Sequence, residues 1–201
     1  MPAVVPCLQE HAAVTIMATW NESGYRSCER GLGSVSQEIV EAIVEIPAGS
    51  QNKYEFDKER GVLRLDRVLY SPVHYPADYG YVEGTLEEDG DPIDILILVT
   101  NPTVPGCIVE VRLIGVLEMA DDKGIDNKLL GVAARDPRYE QVTDLSCVPP
   151  HRLREIEHFF KTYKDLEGKR TIINGWFGVE VARTKLRAAR ENYLRMSSVA
   201  R

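Results

Sequence analysis

The chain has 201 residues, a net charge of −7, 44% hydrophobic and 27% charged residues, which is the make-up of one soluble domain with a sizeable core. The acidic balance argues against a general nucleic-acid binder, whose phosphate contacts need a basic surface, and suits a protein that binds cations. No apolar run reaches the length of a membrane span and no basic leader precedes an apolar core, so a reducing cytoplasm is the expected location and no membrane partner is expected.

Residues 1–36 keep no hydrophobic period and read as a poorly ordered extension. From Gln37 the pattern changes. I-V-E-A-I-V-E-I reads as a strand ending at Pro47, and P-A-G-S-Q-N as a turn. K-Y-E-F-D, V-L-R-L-D-R-V-L-Y and Y-V-E-G-T-L follow as short strands divided by Gly, Pro and Asp. D-I-L-I-L-V and I-V-E-V-R-L-I-G-V-L-E-M add two longer runs rich in β-branched residues. After Pro149, H-R-L-R-E-I-E-H-F-F-K-T-Y-K-D-L-E-G predicts a helix, with Leu153, Ile156, Phe159, Phe160 and Tyr163 at three- and four-residue spacing and Gly168 as its stop. W-F-G-V-E-V-A-R-T-K-L-R-A-A-R-E-N-Y-L reads as a final helix. The expected domain spans residues 37–196, with 197–201 as a tail. Short strands followed by helices predict a mainly β (α+β) fold, a small β-barrel with helices packed outside. Cys7, Cys28, Cys107 and Cys147 form no C-x-x-C pair, so neither a zinc site nor a disulfide framework is expected.

E-E-D-G-D-P-I-D-I-L-I-L, residues 87–98, sets Asp89, Asp91 and Asp94 against the start of a strand. In an extended segment Asp89 and Asp91 point the same way, and Pro92 bends the chain so that Asp94 swings toward the same space. Unpaired carboxylates this close raise one another's pKa values, and a divalent cation removes the conflict. A calcium EF-hand does not fit: Ile93 stands at the fifth loop place, Asp94 replaces the Gly at the sixth, and Thr100 stands where a bidentate Glu belongs. A solvated acidic turn is the plain alternative. A second acidic turn weighs against it: M-A-D-D-K-G-I-D-N-K-L-L-G-V carries Asp121, Asp122 and Asp126, with Lys128 close behind. Two such turns suit several hard, oxygen-seeking ions, and magnesium keeps waters that a substrate phosphate replaces.

A highly charged anion needs cationic clamps as well. Lys53 and Glu55 share one face of a strand, Arg67 suits forked phosphate binding, and Tyr163 and Lys164 end the amphipathic helix. Singly, these cations read as a surface charge, a salt bridge and a helix C-terminal charge. In H-Y-P-A-D-Y-G-Y, Tyr75 and Tyr81 read as core and Tyr79 as a donor to a phosphate oxygen. His74 reads as packing and His158 as a subunit contact. With no G-x-x-x-x-G-K-[ST] and no G-x-S-x-G, the expected chemistry is a metal-activated water attacking phosphorus, without a covalent intermediate.

E-I-P-A-G-S-Q-N-K-Y-E-F-D, Y-P-A-D-Y-G-Y, D-G-D-P-I-D-I-L, G-V-L-E-M-A-D-D-K-G-I-D-N-K and H-F-F-K-T-Y-K-D-L-E follow one another with a recognisable order and spacing. Through them, residues 36–193 resemble the family I soluble inorganic pyrophosphatases of the bacterial kind, whose signature D-G-D-P-I-D matches. The resemblance implies an OB-like five-stranded barrel flanked by helices, a homohexamer, and hydrolysis of pyrophosphate to two orthophosphates with several Mg²⁺ ions. It implies that Asp89, Asp94 and Asp126 hold the tightly bound metal, with Asp94 also reaching a second. Asp121 and Asp126 match ligands of a metal arriving with substrate, and Glu45 a contact to the remaining ion through water. Asp91 matches the general base. Lys53, Arg67, Lys128, Tyr79, Tyr163 and Lys164 match the groups that hold the phosphoryl units, and Glu55, Tyr75 and Asp122 outer positions. Asp122 stands where many relatives have Glu, and Thr162 where some carry an interface His. Two rival readings are a non-catalytic OB-type binding module and a degenerate relative that binds metal and phosphate without turnover. The first predicts a basic groove with exposed aromatics. The acidic balance and the filled positions speak against both.

Overall fold

The computed structural model describes residues 37–122 and 124–199; the extension expected over residues 1–36 lies outside them. In chain order the strands are β1 (Ile39–Ile46), β2 (Asn52–Asp57), β3 (Val62–Val68), β4 (Asp78–Val82), β5 (Asp94–Leu98), β6 (Ile108–Asp121), β7 (Gly124–Ile125), β8 (Lys128–Ala133) and β9 (Ile172–Gly178). Helix α1 (Pro150–Thr162) precedes β9, and helix α2 (Val179–Val199) follows it. Strands β1, β4, β5, β8 and β6 form a closed barrel, because β1 pairs with β4 on one side and with β6 on the other. Every join in the barrel is antiparallel except β5–β8, which is parallel. β2 and β3 form a separate hairpin, and β9 runs antiparallel to the second half of β6. The expected mainly β barrel with two flanking helices is therefore what the chain adopts.

Strand β5 explains its unbroken apolar run. Ile95 and Ile97 join a core cluster with Leu186 and Ala189 of α2, whereas Leu96 and Leu98 join another with Phe159 and Phe160 of α1. Both faces are buried, so no polar alternation survives. Close packing of the barrel needs glycine at two places. A Cβ on Gly80 would lie 1.9 Å from the Ile43 carbonyl oxygen, and one on Gly131 would lie 2.2 Å from Val111 Cγ1. Neither position has room for a side chain.

Three local expectations are corrected. W-F-G is not helical: Trp176 and Phe177 pair with Leu117 and Val116 in the sheet, and the helix starts at Val179. A free edge on β6 decides this, which no local propensity reveals. Helix α1 ends at Thr162, and Gly168, at φ +70°, closes a following 3-10 turn over Asp165–Glu167. Y-V-E-G-T-L is not a strand of its own: β4 runs Asp78–Val82, and the chain turns away at Gly84, at φ +72°. Among the described residues no helix is long and apolar enough to cross a membrane. Helix α2 also fastens a loop of the barrel: Leu86 N donates to Ala189 O at 2.9 Å, and Asn192 Nδ2 donates to Leu86 O at 3.2 Å.

Candidate active site

The parallel register of β5 and β8 sets Asp94 beside Lys128. Both strands begin at the same end of the barrel, so the loops before them open side by side. In the first loop Glu87 N donates to Asp91 O at 2.8 Å, Gly90 N to Glu87 O at 3.2 Å, and Asp91 N to Asp89 Oδ1 at 3.1 Å. Gly90 sits at φ +91°, where an L side chain is strained. Asp89 and Asp91 thus reach their site from a tight turn, not from the extended segment expected, because this glycine lets the chain fold back. Opposite them, β1 is irregular between Val44 and Ile46, at Glu45, and β2 supplies Lys53 and Glu55.

These elements enclose a cleft of about 310 Å³. It brings together Glu45, Lys53, Glu55, Tyr79, Asp89, Asp91, Asp94 and Asp126. Lys128, Arg67, Asp121, Tyr163 and Lys164 flank this group rather than line it, Tyr75 is buried among aromatic rings, and Asp122 is exposed outside it. Lys128 is 2% exposed, and its ammonium donates to both Asp94 Oδ2 and Asp126 Oδ1. The Tyr79 hydroxyl donates to the same Asp94 oxygen. Burial opposes the Lys128 charge, yet the carboxylates of Asp94 and Asp126 outweigh it and raise the pKa. Burial pushes the Tyr79 phenol well above its ordinary pKa, so it remains a donor. Lys164 donates to Asp121 Oδ2 at 2.8 Å. Burial again opposes its charge, and Tyr163 and Asp121 together prevail.

The hairpin contributes a row of alternating charge. Lys53 and Arg67 are paired residues across β2 and β3. Lys53 binds Glu55 and, at 3.4 Å, Asp66; Arg67 binds Asp66 at 2.5 Å and Glu167 at 2.9 Å. Burial alone would raise the Asp66 pKa, but Lys53 and Arg67 lower it. Across the cleft, burial pushes the Glu45 carboxyl up to about 7, although Phe56 N donates to it at 2.7 Å. Burial likewise pushes Glu87 up to about 8, although Asn127 Nδ2 donates to Glu87 Oε1 at 3.1 Å.

Sequence reasoning missed several contributors. Asp66 and Glu167 aim Arg67, and Glu87 and Lys58 line the cleft, Lys58 with its ammonium 5.8 Å from the Tyr81 ring centroid. Asp66 was findable, since it adjoins Arg67 in L-D-R. Glu87 was hidden inside an acidic run, and nothing local marks Glu167, 100 positions from Arg67.

The donor set fits a hard divalent cation. It consists of carboxylate oxygens, and the space between Asp94 and Asp126 already takes a positive charge, the Lys128 ammonium. Among the described residues no three such side chains converge on one point as they stand. Glu45, Asp89, Asp91, Asp94 and Asp126 are nevertheless directed into one cleft, with Asp121 beside it on Lys164.

Comparison with known proteins gives one answer. The family model described as inorganic pyrophosphatase matches residues 42–194. The chain is 60% identical over 144 residues to the inorganic pyrophosphatase of Geobacillus stearothermophilus, covering 72% of this chain and 87% of that one. It is 48% identical over 163 residues to that of Methanosarcina acetivorans, covering 81% and 97%. The solved inorganic pyrophosphatase of Thermus thermophilus superposes with a TM-score of 0.76 at 44% identity, covering 81% and 95%.

Proposed function

Since the chain belongs to the inorganic pyrophosphatase family, and so hydrolyses pyrophosphate to two orthophosphates, we propose that the acidic cleft at the mouth of β5 and β8 is where it does so, with Mg²⁺ as the metal. The observation that carries this reading is that carboxylates from β1, β5 and two separate loops face one cleft beside Lys53, with Lys128 bridging two of them. The family requires a divalent metal. Asp89, Asp94 and Asp126 would hold it, with Asp121 and Glu45 serving further ions. When bound, such ions offset the substrate's charge and lower the pKa of water.

The remaining work falls to the chain. The Asp91 carboxylate, exposed on its turn, takes a proton from the attacking water. Lys53 and Arg67, neighbours on the hairpin, grip phosphoryl oxygens, exchanging part of their bonding to Glu55, Asp66 and Glu167 for bonding to substrate. Lys128, Tyr79, Tyr163 and Lys164 supply further donors, Tyr79 being kept protonated by its burial. Glu55, at the cleft wall, steadies Lys53, while Tyr75 and Asp122 support from farther out. Charge stabilisation and positioning of this kind account for most phosphoryl-transfer catalysis. Lys58, at the cleft wall, adds a cation on the approach of the anionic substrate.

The catalytic unit is taken as residues 37–196, which contain the family match, with 197–201 as a tail. A cytoplasmic homohexamer completes the reading, on the strength of the resemblance to bacterial members. The test is orthophosphate release from pyrophosphate across a Mg²⁺ titration, with EDTA and ATP-only controls. Release that requires the metal and is confined to pyrophosphate is the expected result. Metal binding without release would refute the catalytic reading in favour of a degenerate relative.

A further inference from the structure

Resting on the reading above, we propose that the Glu87–Asn127 hydrogen bond is a strut that holds the two acidic loops at one spacing, making Glu87 a positioning residue for metal binding. The ladder between β5 and β8 begins at Asp94 and Lys128. Before that point the loops run side by side without ladder pairing to each other, yet they carry Asp89, Asp91 and Asp126. Asn127 Nδ2 reaches across this gap to Glu87 Oε1 at 3.1 Å, joining residues 40 positions apart.

Both ends of the strut are well placed for the task. Asn127 lies between Asp126 and Lys128 and is 4% exposed, so a lost partner would leave a buried donor unsatisfied. Glu87 opens the turn that holds Asp89 and Asp91, through its N–H on Asp91 O and its carbonyl on Gly90 N. Immediately before it, Leu86 is clipped to α2 by Ala189 and Asn192. The first loop is therefore held by a helix on one side and by the second loop on the other. Glu87 also stands as a wall between two spaces. It lines the acidic cleft and, with Leu86, Asn127 and Asn192, a second cavity of about 200 Å³. Without the strut the loop has room to shift, and Asp89 and Asp91 lose their fixed distance to Asp126. Partners that orient metal ligands typically change metal affinity by 10–100-fold when removed.

Calorimetric Mg²⁺ binding to the full chain decides the matter, with melting in metal-free buffer and pyrophosphate hydrolysis at saturating Mg²⁺ alongside. Glu87→Ala and Asn127→Ala are each expected to weaken binding about tenfold, while turnover at saturating metal falls far less. Glu87→Gln, which keeps an oxygen to accept from Asn127, is expected to bind as the native chain does. The double alanine variant should be no weaker than either single one, since both cut the same bond. Asn127→Ala serves as the cut if Glu87→Ala does not fold. Native affinity in the alanine variants overturns the proposal, and so does a Gln variant as weak as Ala, because Gln keeps the oxygen that accepts from Asn127. A native chain that binds Mg²⁺ but releases no orthophosphate would count against the catalytic reading alone, because the binding comparison still decides the strut.

Discussion

Replacing Lys128 with Met tests whether the buried ammonium is what lets Asp94 and Asp126 sit together. Methionine keeps most of the apolar stem among Tyr79 and Phe160 and removes only the charge. Lys128 is 2% exposed, so its loss leaves two carboxylates facing a space built for a cation. Breaking a buried pair from one side costs about 3–5 kcal/mol. The Asp94 side chain is 26% exposed and that of Asp126 14%, so water relieves part of the repulsion and the lower end, about 3 kcal/mol, applies. For a chain of this size that corresponds to a fall in melting temperature of roughly 6–12 °C. Thermal unfolding followed by circular dichroism in EDTA reads it directly. Excess MgCl₂ should narrow the gap, because a divalent cation neutralises the same carboxylates and stabilises the state that binds it. A fall of under about 2 °C, or an equal deficit in both buffers, would refute the argument.

Two further substitutions probe separate links. Asp91→Asn should retain fold and Mg²⁺ binding while orthophosphate release drops by about 10²–10⁴-fold, the usual worth of a general base; release near the native rate would remove Asp91 from that role. Gly80→Ala should destabilise by more than the ~1–3 kcal/mol of ordinary overpacking, since the new methyl would meet the Ile43 carbonyl at 1.9 Å. Chemical denaturation measures this, and a midpoint equal to the native one would mean that β1 and β4 can separate without loss.

How much of this was readable beforehand depended on whether the controlling interaction was local. The strands β1, β2, β3 and β5 and the long β6 were legible because their patterns and boundaries are written in consecutive residues. The acidic turns were legible too, since Asp89, Asp91 and Asp94 fall within six positions. Strand β8 was not separated from its acidic turn. Residues Lys128 to Val132 are all buried, so the run shows no alternation, and its parallel alignment with β5 is a property of two distant segments. The same limit concealed Glu167 behind Arg67 and Asn127 behind Glu87, whose contacts span 100 and 40 positions. Lys53 and Glu55 on one face of β2 followed from the two-residue period, whereas the pairing of Lys53 with Arg67 required the hairpin register.

The clip between Leu86 and helix α2 also bears on the order in which the protein is made. A ribosome lays down Glu45, then the first acidic turn, then Asp121 and Asp126, and reaches Asn192 only 106 positions after the loop that residue secures. A nascent chain therefore carries its charge-bearing turns before it has the helix that steadies them. In that interval Asp89 and Asp91 belong to a loop with one side unfastened, and cations met during synthesis encounter ligands that are present but not yet spaced. Competence arrives with the helix, so a stalled or shortened product lacking α2 would keep the acidic motifs while losing one of the supports that set their geometry.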